Sequence, residues 1–144
     1  MTMLNNVLEQ WKGIPGFDNE FFKYLEMGTY NHEKKILTMT MVVPQELCNV
    51  LSTLHGGAMA TLVDVVSSIA IIASDPERMP PSVSVDLSVS YAATAPVGEK
   101  ITIESTVLKI GKNLAFTDTA IYNNHNKIVC KGSHTKFIHR KAAL

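Results

Sequence analysis

The sequence predicts an α+β fold in which a curved antiparallel sheet of six strands wraps around one long central helix. Three observations carry this reading. Residues 49–74 contain a helical pattern that is apolar on nearly every side, so its surroundings must bury it. Two strand-like runs precede it and four follow, most of them joined by the short polar turns that link antiparallel neighbours. A bent sheet whose open side is closed by a second subunit is the simplest way to cover such a helix.

Composition bounds the answer before any motif does. At 144 residues the chain fits one domain, residues 1–144, with 1–24 as a helical extension at the front. It is 46% hydrophobic and 18% charged with zero formal net charge, which argues against a nucleic-acid binder or an acidic interaction tail. Cys48 and Cys130 have no CxxC or metal-ligand spacing, so reduced thiols in an intracellular protein are expected. Asp64 and several serines interrupt the longest apolar stretches, too soon for a bilayer span. No secretory signal opens the sequence, and the arginines of a mitochondrial presequence are missing from its first sixteen residues. A cytoplasmic location is the expectation, with the mitochondrion left open.

Taken in order, Met3, Leu4, Val7, Leu8 and Trp11 form the stripe of an amphipathic docking helix. Residues 13–16 turn, and 17–25 read as a short helix or a lead into a strand, with Asp18 as its cap. Strands are expected over 24–30 and 34–43 around a polar turn at 31–33. Both faces of the second are largely apolar, as for a strand with material on each side. Pro44 ends it, and 45–53 is a loop. His55, Gly56 and Gly57 stand at the helix entrance; Met59, Leu62, Val63, Val66, Ile69, Ala70 and Ala73 then recur at intervals of three and four. Asp75 and Pro76 stop the helix. From Ser82 to Tyr91 alternation is strict: Val83, Val85, Leu87, Val89 and Tyr91 make a dry face, the serines and Asp86 a polar one. Three further strands follow over 100–109, 114–122 and 127–139.

Chemistry concentrates at the helix. Gly56 and Gly57 offer backbone N–H groups at its N-terminus, where donors and dipole favour the charge growing on a carbonyl oxygen under attack. Asp64, flanked by Thr61, Ser67 and Ser68, could serve as base or nucleophile on a substrate carbonyl. Asn49 is near enough in sequence for its amide to reach the same pocket. Read singly, His55 and Asn49 fit turn residues and Asp64 fits a satisfied structural acid. Gly56 and Asp64 lie roughly 12 Å apart along one helix, too far to serve one carbonyl together. Two helices packed side by side in opposite directions bring one's entrance to the other's middle, which argues for a symmetric dimer with interfacial sites.

Together these residues carry a resemblance. LHGGAMATLVD at 54–64, SVSVDLSVSY at 82–91, LKIGKNLAFT at 108–117 and KGSHTKF at 131–137 make the chain similar to the hotdog-fold acyl-CoA thioesterases. The branch is that of the phenylacetate-pathway (PaaI-type) enzymes and the animal thioesterase superfamily members. The resemblance implies hydrolysis of a fatty acyl or aryl CoA thioester in a homodimer, paired again into a homotetramer. It implies catalytic roles for Asp64 (general base or nucleophile), Gly56 and Asn49 (thioester carbonyl), His55 (helix entrance) and Ser84 (orienting water or the acid). Coenzyme A would lie near Lys109, Gly111, Lys112, Asn113 and Lys136, with Asp86 and Tyr91 nearby; Arg140 could join these bases along a rim. No metal or redox cofactor is implied, nor any membrane partner. A non-catalytic acyl-CoA binding protein is the alternative. A hotdog dehydratase, which pairs a histidine with its acid, has only His55 to offer at this level.

Overall fold

The computed structural model describes residues 2–139, with side chains from residue 4 onward. The side chain of Met3, a stripe residue, and the whole of Arg140, a rim residue, lie outside what is described. Helix α1 (Thr2–Lys12) and the short α2 (Asn19–Phe22) precede strands β1 (Leu25–Asn31) and β2 (Ile36–Val42); a 3-10 turn (Gln45–Leu47) leads to helix α3 (Gly56–Ser74). Four strands complete the chain: β3 (Val83–Tyr91), β4 (Lys100–Ile110), β5 (Leu114–Tyr122) and β6 (Ile128–Phe137). All six form one antiparallel sheet in the order β1-β2-β4-β5-β6-β3, matching the predicted fold.

Period-two alternation turns one face of the sheet, largely apolar, toward α3. Leu37, Met39 and Met41 of β2, Ile101, Ile103 and Val107 of β4, Ile121 of β5 and Cys130 of β6 are all buried on it. They enclose Leu62, Val63, Val66, Ile69 and Ala70 of α3, which have essentially no exposure. Gly132 lets the helix come close, since a Cβ there would lie 2.7 Å from Val63 Cγ1. Leu4 and Leu8 of α1 join the same core, and Trp11 meets Phe22 edge-on at 5.1 Å.

Four sequence expectations need correction. The first concerns β3. A bulge between Ser84 and Asp86 breaks its alternation, so Ser84 pairs with Lys136 and Leu87 with His134, both inward residues of β6. Ser84 therefore shares the helix-facing side with Leu87, Val89 and Tyr91, whereas Val83, opposite the outward Phe137, faces away. Nor is the strand dry: it is the sheet's edge, and Val83 is 63% exposed. Second, the outer face of β2 is only half-covered, with Val42 exposed. Third, Asp18 precedes α2 but makes no capping hydrogen bond. Fourth, α3 is long and apolar enough by composition to cross a bilayer, despite Asp64 and its serines. It is mostly buried because the sheet wraps it.

Candidate active site

The mouth of α3 is built by its own cap and by a folded-back loop. His55 has the extended backbone of an N-cap, and its Nδ1 accepts from Gly57 N–H at 2.8 Å. Leu47 C=O accepts from His55 N–H at 2.9 Å, folding the Asn49 loop back against the helix entrance. Within that loop Asn49 Oδ1 accepts from Leu51 N–H, Thr53 N–H and the Thr53 hydroxyl at 3.0–3.2 Å. This is the turn role read from sequence, and it leaves the Asn49 NH2 as the group that can face a ligand. Tyr91 donates its hydroxyl to Gly56 C=O at 2.8 Å, fixing the first residue of the helix from the β3 side. Gly56 N–H precedes the first intrahelical bonds and points out of the entrance.

Two turns further on, Asp64 sits in a polar cluster rather than in apolar surroundings. Its side chain is 38% exposed in the single chain. Ser67 and Ser68 donate to the Asp64 backbone carbonyl at 3.0 and 2.7 Å, and Ser68 Oγ is also 3.4 Å from Asp64 Oδ1. Lys136 reaches in from β6; its Nζ donates to Ser68 Oγ and lies 3.9 Å from Asp64 Oδ1. Burial lowers the Lys136 pKa below the ordinary lysine range, opposed by the charges of Asp64 and Asp18. Asp18 is pushed upward by burial and by Asp64, with Lys136 opposing, which puts the segment before α2 within electrostatic range of the acid.

His134 completes the cluster. Its Nδ1 is 2.8 Å from Ser67 Oγ, its Nε2 is 2.7 Å from Ser84 Oγ, and the same Nε2 is 3.8 Å from Asp64 Oδ1. Ser67 spends its proton on the Asp64 carbonyl, so Nδ1–H donates to Ser67 and Ser84 O–H donates to Nε2. The ring is then neutral, in keeping with burial that lowers its pKa against the opposing pull of Asp64. Ser84 keeps lone pairs free to accept from a water beside Asp64.

The structure thus brings together Asp64, Ser84 and Lys136, and separately His55, Gly56, Asn49 and Tyr91. Placing Lys136 on a rim with other lysines is corrected: it is buried on the inner face of β6, paired across from Ser84. Lys109, Lys112 and Asn113 are exposed at the turn between β4 and β5, where Asn113 C=O accepts from Ile138 N–H. That turn adjoins the C-terminal end of α3, so one chain does not bring it to the helix mouth. Asp86 lies on the outward side of β3, opposite Thr135. His134 was missed, and with it the histidine beside the acid: His55 is not the sole candidate. Alternation along KGSHTKF carried the signal, since Cys130, Gly132, His134 and Lys136 must share a face. Cys48 and Cys130 are free thiols; burial pushes Cys130 up to about 11 and makes it inert. Among the described residues no cluster of His, Cys, Asp and Glu could hold a metal.

Comparison with known proteins supports the fold and gives the family. Residues 51–130 match the family model described as the thioesterase superfamily. Over 136 residues the sequence is 38% identical to acyl-coenzyme A thioesterase 13 of Mus musculus, with 94% of each chain covered. The crystal structure of thioesterase superfamily member 2 from Mus musculus superposes with a TM-score of 0.81 at 35% identity, covering 94% of this chain and 96% of that one. The fold extends to the PaaI protein of the E. coli phenylacetic acid degradation operon, at a TM-score of 0.69 and 19% identity over 78% of this chain and 82% of that one.

Proposed function

This chain belongs to the thioesterase superfamily, and from that premise we propose that it hydrolyses acyl-CoA thioesters to the free acid and coenzyme A at sites shared between two protomers. The observation that carries the reading is the pairing of an open Gly56 N–H at the mouth of α3 with a half-exposed Asp64 carboxylate about 12 Å along the same helix. A homodimer with antiparallel helices joins the first group of one protomer to the second group of its twin. Exposed Val83 and Val85 on edge strand β3, and fully exposed Val50 at the tip of the Asn49 loop, support such an interface.

In this mechanism the Gly56 N–H and the Asn49 NH2 of one protomer donate to the thioester oxygen. Asp64 of the other takes a proton from a water that Ser84 orients as acceptor, and the water oxygen bonds to the carbonyl carbon. The C–O pair becomes an oxyanion held by Gly56 N–H, a donor worth roughly 3–4 kcal/mol when correctly aimed. Collapse breaks the C–S bond, and the thiolate takes the proton from Asp64. Lys136 holds the Ser68 hydroxyl beside the acid and His134 fixes the Ser84 hydroxyl; neither touches substrate. For coenzyme A we retain Lys109, Gly111, Lys112 and Asn113 beside its phosphates, with Asp86 and Tyr91 nearby. Because the β4–β5 turn is remote from the helix mouth of its own chain, another subunit would supply it, as a homotetramer allows. The cytoplasm is the compartment proposed.

Asp64→Asn tests the reading. With folding checked by circular dichroism, thiol release from acyl-CoA should fall by about 100-fold or more, the usual scale for a missing general base. Unchanged thiol release would remove Asp64 from the chemistry. Saturable acyl-CoA binding with no thiol release by the parent protein would make it a binding protein instead.

A further inference from the structure

Gly56 carries the N–H that would meet the thioester oxygen, yet glycine is the residue least able to hold a direction by itself. We propose that Tyr91 is a positioning residue for this donor: its hydroxyl, held on Gly56 C=O, keeps the Gly56 N–H aimed without touching the reacting carbonyl. The inference rests on the thioester-hydrolase reading above and deepens it.

Two peptide planes meet at Gly56. In the first, His55 C=O accepts from Met59 N–H at 3.0 Å, so the N–H at the other end of that plane, Gly56's own, points back out of the helix entrance. In the second, Gly56 C=O accepts from the Tyr91 hydroxyl at 2.8 Å, and Gly57 N–H donates to His55 Nδ1 at 2.8 Å. Side chains thus grip both ends of the second plane, and holding both planes fixes the φ and ψ of the glycine between them. Contact reinforces the grip. A Cβ on Gly56 would lie 3.4 Å from Tyr91 Cε1 and Cζ, so the phenol ring rests against the place where a side chain would stand.

The platform that carries Tyr91 is rigid. Tyr91 closes β3 opposite the buried Cys130, and Ala92 and Ala93 N–H both donate to Val129 C=O, at 2.9 and 3.1 Å. The chain beyond it pins the Asn49 loop through its backbone: Leu54 N–H donates to Ala95 C=O at 2.8 Å and Val97 N–H to Ser52 C=O at 2.9 Å. Among the described residues these main-chain bonds stop short of Gly56, and the Tyr91 hydroxyl carries the connection to it. Tyr91 is itself 54% exposed, so removing the hydroxyl leaves the core intact.

The test is thiol release from octanoyl-CoA by the parent and by Tyr91→Phe, which keeps the ring and removes the donor, with free coenzyme A as inhibitor. In Tyr91→Phe kcat should fall about tenfold, less than the loss of a whole oxyanion donor, while KM and the coenzyme A inhibition constant change by no more than about twofold. His55→Ala, which frees the other end of the same peptide, should also lower kcat, and the double variant should lose little more than the worse single one. An unchanged kcat in Tyr91→Phe, or losses that multiply in the double variant, would overturn the proposal. So would a rise in KM and in the inhibition constant at constant kcat, which would make Tyr91 a coenzyme A contact, or a loss of kcat that tracks a lowered thermal midpoint, which would make it a structural anchor. Amide exchange in the first turn of α3, followed by mass spectrometry, should quicken in Tyr91→Phe whether or not the protein is active. A parent that releases no thiol would defeat the hydrolase reading, whereas unchanged exchange would defeat the clamp itself.

Discussion

Lys136 ties β6 to the helix beside Asp64. Its Nζ donates to Ser68 Oγ and lies 3.9 Å from Asp64 Oδ1, and burial holds its pKa below the ordinary lysine range. Asp64 and Ser68 face it from α3, Asp18 from the segment before α2, and His134 from its own strand. In Lys136→Met, loss of the hydrogen bond to Ser68 should lower kcat/KM for acyl-CoA by roughly tenfold, and Lys136→Arg, which keeps a donor there, should recover part of it. An unchanged kcat/KM in Lys136→Met would limit the residue to packing. His134 carries a pH dependence. Burial lowers its pKa from the ordinary 6.5, so below that pH the unfolded chain binds a proton that the folded chain refuses. Stability contributed by the neutral ring is complete above 6.5 and is lost as pH falls, at up to about 1.4 kcal/mol per pH unit. Urea unfolding across pH should show a shallower acid loss for His134→Gln than for the parent. Both residues were legible in the alternation of β6 once its inward face was known. Similarity to a family's phosphate-binding bases instead drew Lys136 toward the surface, because a lysine's length hides which way it points.

At the scale of elements, the close approach of α3 to the sheet depends on Gly132. Its added Cβ would meet Val63, whose branched side chain has little rotamer freedom in a helix, and Ser88 C=O at 3.3 Å. Gly132→Ala should therefore cost about 1–3 kcal/mol through overpacking, read as a lower midpoint in chemical denaturation; a neutral result would mean that helix and sheet separate freely. Periodicity placed α3 and every strand within a few residues, and His55 as the residue before the helix was readable from HGG. The bulge in β3 was not. VSVDLSVSY alternates perfectly in sequence, and only the pairing with β6 shows that one residue is extra, which rotates Ser84 toward His134. A bulge whose residues keep a strand-like pattern leaves no local trace, since its cause is the fit between two strands. Asp18 failed as a cap for a related reason: α2 is one turn long, and tertiary surroundings rather than local capping decide where the aspartate goes.

For the whole molecule, the proposed second copy of the chain would account both for the exposed edge of β3 and for the distance between the two halves of the candidate site. Helical geometry made the split legible before any coordinates: a donor and an acid about 12 Å apart on one rod cannot share a carbonyl. What the sequence could not reveal is that the apolar residues of β3 are uncovered within one protomer. The direct test is complementation. Asn49→Asp keeps the oxygen that holds the loop but removes the NH2 proposed to face the ligand, and Asp64→Asn removes the proposed base; each should be inactive as a homodimer. When the two are unfolded together and refolded as a mixture, half the dimers are hybrids in which one site carries both defects and the other carries none. Thiol release from octanoyl-CoA should then recover to about a quarter of the parent's rate per site. Activity in the mixture no greater than the sum of the two variants would mean that Asn49 and Asp64 act within one protomer, and the shared site would be wrong.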